Sequence, residues 1–252
     1  VHRDERVTIE AYRCLYPDVV EVAGASVLRC PWAPSSPMLN RIVGLGVDTA
    51  ATQEALDTAL AAMGDHATCY VAVAPEARPR ELAGWLRARG LQPGLGWMSF
   101  RRDPDDPPPA GTSLRLARVG PDEAEAFGRV VALGYGLPEA AVPWIAGAPE
   151  QGWACWLALD GDEPAAAAAV YVSDGAGYLG FAATLQAHRR KGAQNALLAA
   201  RIRHAREQGC EILLTETGER REGMPDNSYR NILRAGFEEV AVTANWLRPG
   251  SS

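Results

Sequence analysis

The alternation of apolar and polar positions resolves the chain into short strands and amphipathic helices in a repeating order. YLGFAATL (Tyr178 to Leu185) is an unbroken small and apolar run, the pattern of a buried strand. NALLAARIRHAREQG (Asn195 to Gly209) puts alanine and leucine at helical spacing and ends on a glycine, which predicts a helix closed at Gly209. A strand (Cys210 to Gly218), a helix (Asn227 to Phe237) and a last strand (Val240 to Arg248) follow. The first half shows the same order: strand Cys69 to Ala77, helix Arg78 to Leu91, strand Gly96 to Arg102. Ahead of these, MLNRIVGLGV reads as a strand and Thr52 to Gly64 as a helix with Thr52 as its N-cap. In the second half, Ser113 to Val119 reads as a strand and Pro121 to Gly134 as a helix whose first turn is acidic, as the dipole prefers. WACWLAL and AAAAAVYV read as two strands joined by the turn Asp160 to Pro164. A second turn, Ser173 to Gly177, leads into the strand at Tyr178.

The halves also share a local signature. Trp85-Leu86-Arg87-Ala88-Arg89-Gly90-Leu91 lies over Ile232-Leu233-Arg234-Ala235-Gly236-Phe237 with one extra residue. In both, a glycine ends the helix and an apolar residue returns the chain to the core. The stretch RRDPDDPPPAG between them, with four prolines and three aspartates, can build no core and reads as an extended spacer. The expected organisation is a domain over 1–102, a linker over 103–111 and a second domain over 112–252.

Composition narrows the class. The 252 residues are 47% apolar and 22% charged, ordinary for a globular protein. A net charge of -6 argues against nucleic acid as a partner, so the basic cluster His188-Arg189-Arg190-Lys191 is local. The five cysteines are scattered and form no C-x-x-C pair, which suggests reduced thiols and a cytoplasmic protein. No apolar run is long enough to span a bilayer, no metal-ligand spacing occurs, and the N-terminus lacks a signal-peptide pattern. Nothing in the sequence assigns an oligomeric state.

The basic cluster stands where a strand turns into a helix, and there it has a chemical meaning. Main-chain N–H groups at a helix start lack partners, the dipole favours negative charge, and the cationic side chains add attraction. Positive charge at that end opposes the dipole by up to ~1 kcal/mol per favourable position, a cost that a bound anion offsets. Gly192, without a side chain, lets a phosphate approach the main chain. The corresponding step in the first half reads Asp48-Thr49-Ala50-Ala51 and has no such cradle.

Arg189-Arg190-Lys191-Gly192-Ala193-Gln194 is similar to the Q/R-x-x-G-x-G/A turn of the GNAT superfamily. Leu233-Arg234-Ala235-Gly236-Phe237 resembles that family's closing helix-to-strand signature. With the order of elements, the chain resembles acetyl-CoA-dependent N-acetyltransferases of this superfamily. The implied fold is α/β (α+β): two GNAT-like domains, each a mixed, mostly antiparallel sheet flanked by helices, the first degenerate. The resemblance implies that acetyl-CoA is the cofactor and that Arg189, Arg190, Lys191, Gly192, Ala193, Gln194 and Asn195 hold its pyrophosphate. It also implies that the edge of the preceding strand at Ala182, Ala183 and Thr184 pairs with the pantetheine arm. Asn227 is first of all an N-cap with Ser228, and in the family's terms a contact to that arm. The acceptor implied is an amine of a small molecule or peptide, acetylated by direct attack.

Two positions depart from the family pattern. Gln194 adds bulk where glycine or alanine is usual, and Ile232 stands where a tyrosine general acid is frequent. Tyr229, three residues earlier, shares that helical face and is the candidate acid. Glu216 and Glu219, at the end of a strand, are candidate bases, with Tyr178 and His188 as weaker ones. Beside the phosphate turn, His188 is expected at the surface or as an extra phosphate contact. Tyr135, Trp144, Trp153 and Trp156 fall in the segment expected to wall the acceptor, with core packing as the default for each. The alternative reading is a CoA-responsive regulatory or sensor protein that has lost catalysis, which Ile232 favours. Nucleotide or phosphate-ester chemistry lacks its motifs, since there is no G-x-x-x-x-G-K-[ST] and no carboxylate cluster.

Overall fold

The computed structural model describes residues 2–16 and 18–250. The chain forms two compact units, one of residues 1–98 with 241–252 and one of residues 99–240.

The first unit holds helix α1 (His2–Arg13), the hairpin strands β1 (Val19–Val22) and β2 (Ala25–Leu28), and strand β3 (Arg41–Val43). Helix α2 (Gln53–Met63), strand β4 (Cys69–Val73), helix α3 (Leu82–Ala88) and the two-residue strand β5 (Gln92–Pro93) follow. The final strand β12 (Glu238–Arg248) enters this unit at Ala241 and pairs antiparallel with β4, from Ala244 opposite Val73 to Arg248 opposite Cys69. Strands β3 and β4 run parallel, and β1/β2 and β2/β3 are antiparallel. Leu56, Leu60, Val71, Leu82, Leu86 and Trp246 close the core between α2, α3 and the sheet.

The second unit takes its first residues from strand β6 (Trp97–Arg102), which joins it at Ser99. Strand β7 (Arg115–Arg118), helices α4 (Ala124–Tyr135) and α5 (Val142–Ala146), and strands β8 (Trp153–Asp160), β9 (Glu163–Ser173) and β10 (Ala176–Thr184) come next. Helix α6 (Ala193–Glu207), strand β11 (Ile212–Gly218) and helix α7 (Asn227–Arg234) complete it. The strand order is β6-β11-β10-β9-β8-β7, with β10 and β11 parallel and β7 to β10 antiparallel. The alanine run Ala165 to Ala169 is a strand and fully buried, because helices cover both faces of the sheet. Trp156 on one face meets His204 of α6, and Trp153 on the other meets Phe181, which touches Phe127 of α4.

The expected fold class holds, and most elements lie where the pattern places them. The domain limits differ. Residues 241–252, expected with the second half, belong to the first unit, because β12 completes the sheet beside β4. The stretch 103–111 is not a free spacer. The buried Arg102 donates to the carbonyls of Asp103, Asp105 and Ala235, and Arg206 pairs with Asp106. The two helix ends match without the extra residue. Leu91 N–H bonds Leu86 O as Phe237 N–H bonds Ile232 O, and Gly90 N–H bonds Arg87 O as Gly236 N–H bonds Leu233 O. Both glycines are left-handed, at φ +79° and +84°.

Candidate functional site

Strands β10 and β11 part company midway. Their parallel pairing runs only from Ala176 with Ile212 to Leu179 with Thr215. Thr215 Oγ1 donates to Leu179 O at 2.8 Å, at the last residue pair of that ladder. On its other side β10 stays paired with β9 through Thr184, with a bulge between Gly180 and Ala183. Phe181 sits in that bulge at φ +53°, a conformation that costs a bulky residue of order 1–3 kcal/mol and is stored most often at functional sites. The edge of Gly180 to Thr184 that faces the fork is therefore main chain available to a ligand. Ala182, Ala183 and Thr184 form this last stretch of β10.

Two groups shape this edge: Arg201, which sequence reading missed, and Tyr135, which it placed in the segment walling the acceptor. Arg201 of α6 is 1% exposed and lies beneath the bulge, donating to Gly180 O at 3.2 Å and Ala169 O at 3.4 Å. Burial pulls its pKa down to about 10, against an opposing pull from Tyr135, so it remains a cation at neutral pH. Tyr135, at the end of α4, lies near Arg201 and Ala182. Packing around the phenol raises its pKa to about 12, while Arg201 and the Ala182 N–H pull the other way. The signal for Arg201 was an arginine between Leu197 and Ala205 on the apolar stripe of α6, where a charge has no place without a purpose.

From Thr184 the chain passes through a single 3-10 turn, Gln186–His188, into the basic segment. Arg190 is left-handed at φ +68° and Gly192 at φ +79°. Left-handed residues in such a turn gather consecutive N–H groups into an anion-binding concavity. Helix α6 starts at Ala193 with no side chain capping it. Its counterpart in the first unit, α2, is capped by Thr52, which accepts from Ala55 N–H at 3.0 Å. Near that helix start, Arg78 donates its N–H to Gly46 O and accepts from Ala51 N–H, so the chain's own backbone fills the space.

The basic side chains divide into two pairs. Arg189 and Arg190 are exposed, and their guanidinium groups make no ion pair or hydrogen bond among the described residues. Lys191 instead pairs with Asp160, and Asp160 also bonds His188 Nδ1 at 2.9 Å. These two bonds, that of Lys191 first, hold the Asp160 carboxyl below the usual carboxylate range. His188 is buried, neither at the surface nor turned out as a phosphate contact, because Asp160 and Glu163 at the β8–β9 turn draw it inward. Gly192 is needed for a reason other than phosphate approach: a Cβ there would run into the Gly111 carbonyl. Gln194 does not fill the turn. Its side chain reaches α7, donating to Ser228 Oγ at 3.2 Å and accepting from Asn231 at 2.6 Å. Ala193 is buried and Asn195 exposed on the first turn of α6.

At the other arm of the fork, Glu216 follows Thr215, the last residue of β11 paired with β10. Ser99 Oγ donates to its Oε1 at 3.2 Å and the Tyr178 hydroxyl to its Oε2 at 3.1 Å. Glu216 and Tyr178, separate candidates in the sequence, form one unit. Glu219 is tied to Arg221 in the following loop. Tyr229 is buried and donates to Glu239 at 2.6 Å, with Arg220 over its ring at 4.1 Å and Phe100 edge-on at 4.8 Å. Burial and then Glu239 raise its pKa to about 12. Asn227 is exposed and is the first helical residue of α7; Asp226 takes the cap position, with its carboxylate paired to Arg230. Trp153 and Trp156 are both core. Among the described residues no group of three His, Cys, Asp or Glu could hold a metal ion, and no helix is long and apolar enough to cross a membrane.

Residues 132–224, within the second unit, match the family model described as the Acetyltransferase (GNAT) family. No curated protein matches the chain in sequence. Among solved structures, the chain is similar to a GCN5-related N-acetyltransferase from Kribbella flavida, at 19% identity and a TM-score of 0.66, over 99% of this chain and 96% of that one. It is similar to a GCN5-related N-acetyltransferase from Sphaerobacter thermophilus, at 16% identity and a TM-score of 0.67, over 91% of this chain and 78% of that one. A tandem GNAT protein from the clavulanic acid biosynthesis pathway matches at 18% identity and a TM-score of 0.57, over 98% of this chain and 88% of that one. At these identities the likeness is one of fold.

Proposed function

We propose, for a chain whose second unit belongs to the GNAT acetyltransferase family, that it binds acetyl-CoA there and transfers the acetyl group to an amine by direct attack. The observation that carries this reading is the free edge of β10 beyond Leu179 leading directly into an uncapped, left-handed helix start. An edge of that kind suits an extended amide-bearing arm, and the helix start suits a diphosphate. Acetyl-CoA, when bound, supplies a thioester carbonyl and a thiolate leaving group.

The chain's own groups take the remaining roles. The main-chain N–H groups from Arg190 to Asn195 and the side chains of Arg189 and Arg190 hold the diphosphate; Lys191 contributes its backbone. Ala182, Ala183 and Thr184 pair with the arm, and an N–H on this edge polarises the carbonyl. Arg201 keeps the bulge in shape and adds positive charge beneath it. Glu216, fixed by Ser99 and Tyr178, accepts the proton that the amine loses as the new C–N bond forms. The acceptor is an amine of a small molecule or a peptide.

The second reading is a CoA-responsive sensor without turnover. It draws on α7, where Ile232 is buried and the Tyr229 hydroxyl is engaged by Glu239. Thiol release from acetyl-CoA across a panel of primary amines separates the two. The transferase releases CoA with at least one acceptor, and a sensor releases none while still binding CoA.

A further inference from the structure

The end of the proline-rich stretch grips the phosphate turn. Thr112 Oγ1 donates to Lys191 O at 2.7 Å. The same oxygen accepts from Leu114 N–H at 3.1 Å, so the one hydroxyl proton is directed at Lys191. Next to it, the Gly111 backbone lies against Gly192. The stretch is anchored at its other end by Arg102 and midway by the Arg206–Asp106 pair. Asp160 holds the Lys191 ammonium.

A peptide unit is planar and trans, so its C=O and N–H point in opposite directions. A hydroxyl that fixes Lys191 C=O therefore also fixes the Gly192 N–H, aiming it away from Thr112. That N–H has no acceptor among the described residues. We propose that Thr112 is a positioning residue for the cofactor turn, setting the Lys191–Gly192 peptide so that its N–H meets the diphosphate. The inference rests on the acetyl-CoA reading. It gives the stretch 103–112 a part in binding that its composition does not suggest. A linker that merely spaces two units would leave that peptide free to flip.

The test compares wild type, Thr112→Val and Thr112→Ser by calorimetry with CoA and with pantetheine, and by kinetics with acetyl-CoA and S-acetylpantetheine. Pantetheine carries the arm and lacks the diphosphate. Thr112→Val keeps the shape of the side chain and removes the hydroxyl. It is expected to weaken CoA by about 5–10-fold, the effect of one hydrogen bond. It should raise the KM for acetyl-CoA with kcat unchanged and leave both pantetheine ligands as in wild type. Thr112→Ser restores CoA binding. Unchanged CoA affinity in Thr112→Val overturns the proposal, as does an equal loss for CoA and pantetheine. Failure of wild type to bind CoA at all is a separate result, which removes the acetyl-CoA reading and this inference with it.

Discussion

The hydroxyl of Tyr178 donates to Oε2 of Glu216 across 3.1 Å, linking the two strands just before they separate. Ser99 holds the other carboxylate oxygen, so the side chain has one orientation at the mouth of the fork. If Glu216 takes the amine proton, Glu216→Gln keeps the shape, accepting from one hydroxyl and donating to the other, and loses the base. The expected result is a fall in kcat of about 10²-fold or more with CoA affinity unchanged. Tyr178→Phe, which removes only one orienting bond, should cost about tenfold or less. Steady-state rates with the best amine of the panel, beside CoA titrations of each variant, provide the check.

Asp160 ties the β8–β9 turn to the phosphate turn through Lys191 and His188, and those bonds depress its pKa. A carboxyl held lower in the folded state adds stability above its unfolded pKa, about 3.9. That stability is lost as pH falls through the folded value. Asp160→Asn should therefore narrow the gap between neutral and acid stability, and move the acid unfolding midpoint to higher pH than in wild type. Denaturant unfolding from pH 7 to pH 2 measures this.

Arg190 combines an exposed cation with a left-handed backbone at φ +68°. Arg190→Gly removes the charge and the backbone strain together, whereas Arg190→Ala removes the charge alone. Both should weaken CoA and flatten its dependence on salt. Arg190→Ala, which keeps the strain, should melt like wild type, and only the glycine variant should raise the melting temperature, by up to about 1 kcal/mol of stability. Thermal melts paired with CoA titrations at two salt concentrations separate the effects.

Gly192→Ala should destabilise the fold even without ligand. The left-handed backbone costs an alanine about 1–2 kcal/mol, and the Gly111 carbonyl adds a steric cost. Chemical denaturation of the apo protein reads this. The variant is therefore a poor probe of phosphate binding, and Arg189 and Arg190 are better ones.

Much of this site was legible because periodicity and caps speak locally. Tyr178 to Leu185 reads as a buried strand from its own composition, and the cluster at 188–192 reads as an anion cradle from charge and a glycine. Long-range facts were hidden. Nothing local to Lys191 says that Asp160, thirty-one residues earlier, takes its charge. Nothing local to Gln194 says that its amide turns toward Ser228 and Asn231. Prolines and aspartates at 103–109 read as a spacer, and nothing in them says that Arg102, through Ala235, and Arg206 fasten it from far away in sequence. The exchange of final strands escaped for the same reason. A strand's pattern shows its buried face and says nothing of which sheet it joins.

The contrast between Thr52 and Gly192 gives the most direct test. One helix start is capped by its own threonine and the other is left open. Calorimetric titration of the whole chain with CoA should give one site per chain. An Arg189→Ala/Arg190→Ala double variant should weaken that site by at least about tenfold while melting like wild type. Two sites per chain, no binding, or a double variant that binds as wild type does would contradict the account.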